Sequence, residues 1–319
     1  MMGAEMRRAA LILALVPLAL PASAAAAPEG GSLSVNVRSG IADGGKTFVA
    51  RGQRVEVRGV MSNFVPLQFA DVEVTRAGRR VASDRVLIRR KGSRGAFTFH
   101  FTAKRAGRYT VRAVHEATAE QGTARAERAS VEAVSWQAGQ GASGLRVRVL
   151  QRGLAALAYV TPRGGGYDAG TARAVTAFRK VNRMQRTGYA SRKVFDMVLR
   201  GDGGFRLKYP NHGKHVEADL SRQVLVLARD GRAERIYHTS SGTSATPTIR
   251  GSYTFYRKDP GTNSLGMVHS SYFRGGYAIH GYKSVPTHPA SHGCLRVPIP
   301  NALSIFRWIN TGDRIDVYR

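Results

Sequence analysis

Between Leu33 and Val134 apolar and polar residues alternate along the chain. The stretches LSVNV, RVEVRGV, DVEVTR, GAFTFHFTA, GRYTVRAVH and ASVEAV keep a two-residue period, and Gly or charged turns separate them. Successive side chains of a strand point to opposite faces, so Phe97, Phe99 and Phe101 share one face. Six short half-buried strands predict an antiparallel β-sandwich over residues 32–135. His100 and His115 fall inside strand patterns, and nothing in this region offers catalytic chemistry, so it reads as a spacer or binding module.

After SWQAGQGASG (Ser135–Gly144), a linker by composition, the period becomes helical. Val147, Leu150, Leu154 and Leu157 recur three and four apart. Thr171 is the expected N-cap of a helix that aligns Ala174, Phe178 and Val181, and Ser191 caps RKVFDMVLR, which Gly201 ends. Residues 142–203 are therefore expected to form a small three-helix module. From residue 204 to 319 the pattern returns to β. HVEADLSRQVLVLARDGRAERIYHTSSG reads as two strands around an Asp230-Gly231 turn, with GSYTFYRK and GGYAIHG as further strands. Asn301 is the expected N-cap of one short helix, NALSIFRWI, before a closing strand RIDVYR.

Composition changes this picture in two ways. The 319 residues suffice for two or three domains. Lys and Arg outnumber Asp and Glu by 49 to 21, a net charge of +28 that favours polyanions such as anionic wall polymers, nucleic acid or an anionic membrane surface. The N-terminus fixes the compartment better. Arg7-Arg8, the apolar run AALILALVPLAL and the small-residue stretch PASAAAA predict a signal peptide over residues 1–27 and an exported protein, with membrane contact only through that segment if it stays uncleaved. Export, and the absence of a recognisable nucleic-acid motif, count against a nucleic-acid partner.

One cysteine, Cys294, cannot make an internal disulfide, and in an oxidising compartment a lone thiol is a liability. It stands in YAIHGYKSVPTHPASHGCLRVP with His280, His288 and His292. Three readings compete: a zinc site with ligands spaced H-x7-H-x3-H-x-C, an inert buried thiol, or a nucleophile with a base. The spacing is poor for structural zinc, and His288 lies between Pro286 and Pro289 in an exposed-loop context. As nucleophile, Cys294 would use His280, at the end of its strand, as proton acceptor, and the Gly293 and Cys294 N–H groups as an oxyanion site. Arg296 would bind a substrate carboxylate or brace the loop.

IHG followed by SHGCLRV is similar to the active-site signature of the L,D-transpeptidase (YkuD-type) catalytic domain, and the resemblance runs over about Phe205–Arg319. Asp219, Ser241-Gly242, Pro247-Thr248, Gly251 and NALSIFRWINTGDRIDV carry it further. It departs in the proline-bearing loop before Ser291 and in Tyr282, where Thr is frequent. Leu150-Gln151, Gly170-Thr171, Ala174, Ala177-Phe178, Gly188 and Leu199 resemble the helical peptidoglycan-binding module, with Arg179 and Arg183 where that family usually has Gln and Gly. The first region resembles immunoglobulin-like modules on pattern alone.

The resemblance implies an enzyme in which Cys294 is the nucleophile, His280 the proton donor and acceptor, and His292 and Gly293 shape the turn and oxyanion site. Ser291, Arg296, Tyr277 and Gly281 are the expected substrate contacts. It implies no metal or cofactor. The partners would be peptidoglycan stem peptides, a donor that loses D-alanine through a thioester and an acceptor amine that resolves it into a cross-link. Water as acceptor would give an L,D-carboxypeptidase, and a vestigial cysteine a non-catalytic wall-binding protein. His before Cys differs from papain-like and NlpC-type peptidases, and the sortase T-L-x-T-C context is absent.

Overall fold

A computed structural model describes residues 31–319, so the signal segment at 1–27 lies outside the described residues. The N-terminal unit contains β1 (Leu33–Val37), β2 (Ile41–Asp43), β3 (Lys46–Ala50), β4 (Arg54–Met61), β5 (Phe69–Arg76), β6 (Arg79–Leu87), β7 (Arg89–Lys91), β8 (Arg94–Thr102), β9 (Gly107–His115), β10 (Ala124–Arg125) and β11 (Ala129–Val134). They form two facing sheets, β1-β4-β8-β7 and β2-β3-β11-β9-β5-β6 with β10 on β9. Alternation predicted the strands that bury every second residue: Phe97, Phe99 and Phe101 of β8 meet Val55, Val57, Val72, Val74 and Val111 in one core. Pairing is antiparallel except between β3 and β11, which lie parallel in the larger sheet.

Three helices follow: α1 (Leu145–Ala156), α2 (Ala169–Val181) and α3 (Arg192–Arg200). Two details differ from expectation. The N-cap of α2 is Asp168, whose carboxylate accepts from the Thr171 N–H at 2.8 Å, while the fully buried Thr171 hydroxyl bonds Gln151 and sits inside the module. The stretch taken as a linker is packed: Trp136 lies 5.4 Å from the Phe48 ring and edge-on to Phe195, and Ala138 exchanges backbone bonds with Ala190. Where the family usually has Gly, Arg183 takes φ +53°, the left-handed conformation that follows a helix end.

The C-terminal unit holds β12 (His215–Asp219), β13 (Val224–Arg229), β14 (Arg232–His238), β15 (Gly251–Thr254), β16 (Arg257–Thr262), β17 (Val268–Arg274), β18 (Tyr277–Tyr282), β19 (Leu295–Pro298), α4 (Ile299–Trp308) and β20 (Arg314–Tyr318). Its sheets run β14-β13-β12-β20-β15 and β16-β17-β18-β19, with parallel pairing at β12–β20 and β18–β19. Between them lies a core of Val216, Leu225, Leu227, Phe255, Phe273, Ile279, Leu295, Val297 and Ile305. The stretch read as two strands is three, since Leu220–Gln223 turns between β12 and β13. Pro298, not Asn301, precedes α4, with Pro300 inside the first turn where a missing N–H costs nothing. Asp230 and Gly231 take φ +49° and +74°, the mirror-image turn expected of Asp-Gly. Among the described residues no helix is long and apolar enough to cross a membrane.

The three units are joined by apolar contact. Phe48, Ala50 and Val134 of the sandwich cluster with Val149 and Leu199 of the helices. Val224, Val226 and Ile236 of the β13–β14 hairpin belong to the helical core with Leu154, Val175 and Phe178.

Candidate active site

The site is assembled where β18 and β19 run side by side. Their register pairs Ile279 with Leu295, His280 with Arg296 and Gly281 with Val297. Side chains alternate across a sheet, so the two faces can be assigned. Ile279, Leu295 and Val297 point into the core. Gly281 shares that face: a Cβ there would stand 2.7 Å from Ala302 of α4. Ala278, His280, Tyr282, Cys294 and Arg296 share the other face. The His280 and Tyr282 rings meet edge-on at 5.7 Å, and the Arg296 guanidinium lies 4.2 Å over the Tyr282 ring. One position before the register, Cys294 comes beside Ala278, and both pack with Met267 and Tyr272. Nucleophile and imidazole are thus diagonal neighbours on one face.

His280 is buried, and its Nδ1 lies 2.9 Å from the Gly281 carbonyl. That carbonyl only accepts, so Nδ1 carries the proton and Nε2 is left as a proton acceptor. Burial pulls the His280 pKa below its ordinary value, and the Arg296 charge adds to this against the opposing carbonyl bond. Burial also pushes the Cys294 thiol up, although the Ala278 backbone and Arg296 act the other way. The Cys294 thiol donates to the Gly276 carbonyl at 3.4 Å. Burial thus favours the uncharged form of each partner, a thiol and an imidazole that share one face of the sheet rather than a preformed ion pair.

The turn from Ser291 to Cys294 is held from within and from below. The Ser291 hydroxyl donates to the Cys294 carbonyl at 2.6 Å and accepts from the Gly293 N–H at 3.1 Å. The Gly293 carbonyl accepts from Thr248 Oγ1 at 2.6 Å, and that oxygen accepts from the Gly242 N–H at 2.9 Å. Gly242 is where a side chain has no room: a Cβ would stand 2.2 Å from the Thr246 carbonyl and 2.9 Å from Gly293 Cα. Gln223 supports the cradle by bonding the Ser241 hydroxyl at 2.7 Å and accepting from its N–H at 2.9 Å.

Several residues expected to touch substrate are occupied internally. Ser291 is buried and spends both bonding capacities on the turn. Gly281 faces α4 and offers its carbonyl to His280. Arg296 stacks on Tyr282 and donates to the Ala290 carbonyl at 3.1 Å, which is the bracing alternative. Tyr277 lays its ring where a Gly293 side chain would be, 2.7 Å from an ideal Cβ. The Gly293 N–H expected to face an oxyanion is held by Ser291. His292 and His288 are exposed and do not converge with His280; among the described residues no group of three or more His, Cys, Asp or Glu is placed to hold a metal ion. Thr248 entered the sequence reading only through the resemblance and without a role, and Gln223 was not anticipated, since an isolated Gln carries no distinguishing spacing.

Gly293 adopts φ +122°, a conformation L side chains rarely take. Gly293→Ala is expected to lower stability by about 1–3 kcal/mol through backbone strain and to displace the turn. Urea unfolding of the variant against the parent, read alongside labelling of Cys294 by a small thiol reagent, checks both effects.

Residues 213–317 match the L,D-transpeptidase catalytic domain, and residues 143–198 match a putative peptidoglycan binding domain. An L,D-transpeptidase crystal structure from Xylanimonas cellulosilytica is 32% identical with a TM-score of 0.53, over 58% of this chain and 98% of that one. L,D-transpeptidases from Stackebrandtia nassauensis (22% identity, TM-score 0.36, 57% of this chain and 95% of that one) and Mycobacterium smegmatis (13%, 0.31, 91% and 99%) are also similar. No curated protein matches. The chain belongs to the L,D-transpeptidase family.

Proposed function

We propose that this protein is an exported cell-wall enzyme that cross-links peptidoglycan stem peptides by cysteine acyl transfer. The observation carrying the reading is the shared face of Cys294 and His280, with the His280 Nδ1 proton committed to the Gly281 carbonyl. In the first half-reaction Sγ attacks the carbonyl carbon that precedes the terminal D-alanine while its proton passes to Nε2 of His280. The tetrahedral oxyanion is met by the Cys294 N–H. The C–N bond then breaks, His280 returns the proton to the leaving amine, and D-alanine departs from a thioester. In the second half an acceptor amine gives its proton to Nε2 and takes the acyl group, and the thiol regains its proton.

A backbone carbonyl, rather than a carboxylate, orients the base. It fixes the tautomer without stabilising an imidazolium as strongly as an anion would, which suits a proton held only briefly. The helical module and the surplus of positive charge would keep the enzyme on the wall and its anionic polymers. The site residues call for no metal or cofactor.

Incubating the purified enzyme with defined tetrapeptide stems and resolving the products by mass tests the reading. Dimers with loss of D-alanine are expected. Tripeptide alone would make it an L,D-carboxypeptidase, and unchanged stems a non-catalytic wall-binding protein.

A further inference from the structure

The helical module sends a lysine into the catalytic unit. Lys180, in the last turn of α2, is 2% exposed, and its Nζ reaches the Gln223 carbonyl at 3.0 Å, the Thr239 carbonyl at 2.8 Å and His238 Nδ1 at 2.7 Å. The far side of the same imidazole, Nε2, lies 2.8 Å from the Val285 carbonyl. A carbonyl only accepts, so Nε2 carries the proton and Nδ1 accepts from Lys180. Burial keeps His238 neutral, with its pKa held down to about 3, and pulls Lys180 down to about 6, while donation to all three acceptors at once requires the ammonium form with its three N–H groups. The result is a continuous line of bonds from α2 through β14 to the loop 283–290.

A second arm runs beside it. Arg186 donates through Nη1 to the Thr287 carbonyl at 2.7 Å and through Nη2 to the Ser221 carbonyl at 3.0 Å. The turn that carries Arg186 is braced by Arg179, which bonds the Tyr189 carbonyl at 2.9 Å and the Gln185 carbonyl at 3.1 Å. Arg179, where the helical family usually has Gln, therefore shapes the turn that presents Arg186.

Both arms end on one short segment. The loop 283–290 joins the strand of His280 to the turn of Cys294, and Pro286 and Pro289 deprive it of two N–H donors. Its carbonyls are held from outside: Val285 by His238, Thr287 by Arg186, His288 by Ser240 and Ala290 by Arg296. Two of these four anchors trace back to the helical module. At one end of the loop Tyr282 stands against both His280 and Arg296, so a shift of the loop moves the wall of the catalytic face.

We propose that Lys180, acting through His238, and Arg186 are positioning residues, making the helical module a structural part of the catalytic cleft as well as a wall-binding element. They set the shape of the 283–290 loop, which joins the strand of His280 to the turn of Cys294 and so borders the catalytic face. This rests on the reading of Cys294 as nucleophile, but the shape of the loop can be measured without it.

The test uses the full chain with Arg186→Ala, Arg186→Lys and Lys180→Met. Hydrogen exchange of peptides covering 283–290 is read together with separate kcat and KM for a tetrapeptide stem. Arg186→Ala is expected to raise exchange in that loop and in the Ser221 turn, the two segments Arg186 holds, and to lower kcat/KM by about 10- to 100-fold, the scale of an ångström-sized misplacement. The fraction of cysteine that can be labelled should stay constant. Arg186→Lys, which can still reach one carbonyl, should recover part of the loss. Lys180→Met adds the second arm; should it fail to fold, the two Arg186 variants decide alone.

Exchange and kinetics within about twofold of the parent for Arg186→Ala would overturn the proposal, as would a loss of activity that merely follows the unfolded fraction. If the parent itself forms no thioester, the Cys294 reading fails, and the exchange data still decide whether these residues position the loop.

Discussion

Cys294→Ala is expected to give a folded protein that never acquires the mass of a stem tripeptide. Turnover should fall at least about 10⁴-fold, the scale on which acyl-transfer enzymes respond to loss of the nucleophile. The fold should survive, because Cys294 is a half-buried member of a small cluster with Met267, Tyr272 and Ala278, and one sulfur is removed from its edge. The turn is held by the Ser291, Thr248 and Gly242 bonds, none of which uses the thiol. Intact-mass spectrometry after exposure to a tetrapeptide stem, with thermal unfolding beside it, separates the two effects. Acylation persisting in the alanine variant would eliminate Cys294 as the nucleophile.

The second large effect concerns His280 and has a sign that burial dictates. Its imidazole must be unprotonated to take the thiol proton, and desolvation lowers its pKa below the ordinary value of 6.5. Activity should therefore hold down to pH values where an exposed histidine would already be protonated, then fall as pH drops through the lowered pKa. Because burial raises the thiol from 9.0, alkylation of the resting enzyme should climb only on the alkaline side, without the neutral plateau of a thiolate–imidazolium pair. Replacing His280 with Asn should cost about 10²–10⁴-fold in kcat/KM and abolish the acid limb. A pH profile of stem-peptide turnover, run with an alkylation profile, checks both; a flat neutral plateau in alkylation would favour the ion pair instead.

The legible parts of the chain are those in which one local rule decides the outcome. Alternation exposed β8 because Phe97, Phe99 and Phe101 are all buried on one side, and Asp230-Gly231 marked a turn because both residues take positive φ. β6, RRVASDRVL, has no buried position and exists through its pairing with β5, so its pattern is silent. β16, RKDPGT, is hidden for the same reason. The N-cap of α2 was misplaced by three residues because Thr171 and Asp168 are both good caps, and the threonine hydroxyl is taken up by Gln151, twenty positions away in the chain, and by Gly166 and Asp168.

At the site, His280 and Cys294 stood out because a lone thiol near a strand-ending histidine needs an explanation. Their supports did not. Lys180 sits in RKVNR, which reads as a solvated basic face, yet its partners Gln223, His238 and Thr239 lie beyond the next unit's first strand. Ser291, Arg296 and Gly281 were legible as important but not in kind: the residues beside a nucleophile are as often its scaffold as its grip on substrate, and only hydrogen-bond geometry tells which.

The sharing of Val224, Val226 and Ile236 with the helices has a consequence for how this chain is cut and inherited. Alternate residues of β13, Leu225 and Leu227, face the catalytic core, so the hairpin is apolar on both sides. A catalytic unit severed at residue 213 would carry an oily stripe open to water, an invitation to self-association. The two units are therefore constrained to travel as a pair, and a shuffled copy lacking the helices would need polar replacements along that hairpin before it could stay dispersed.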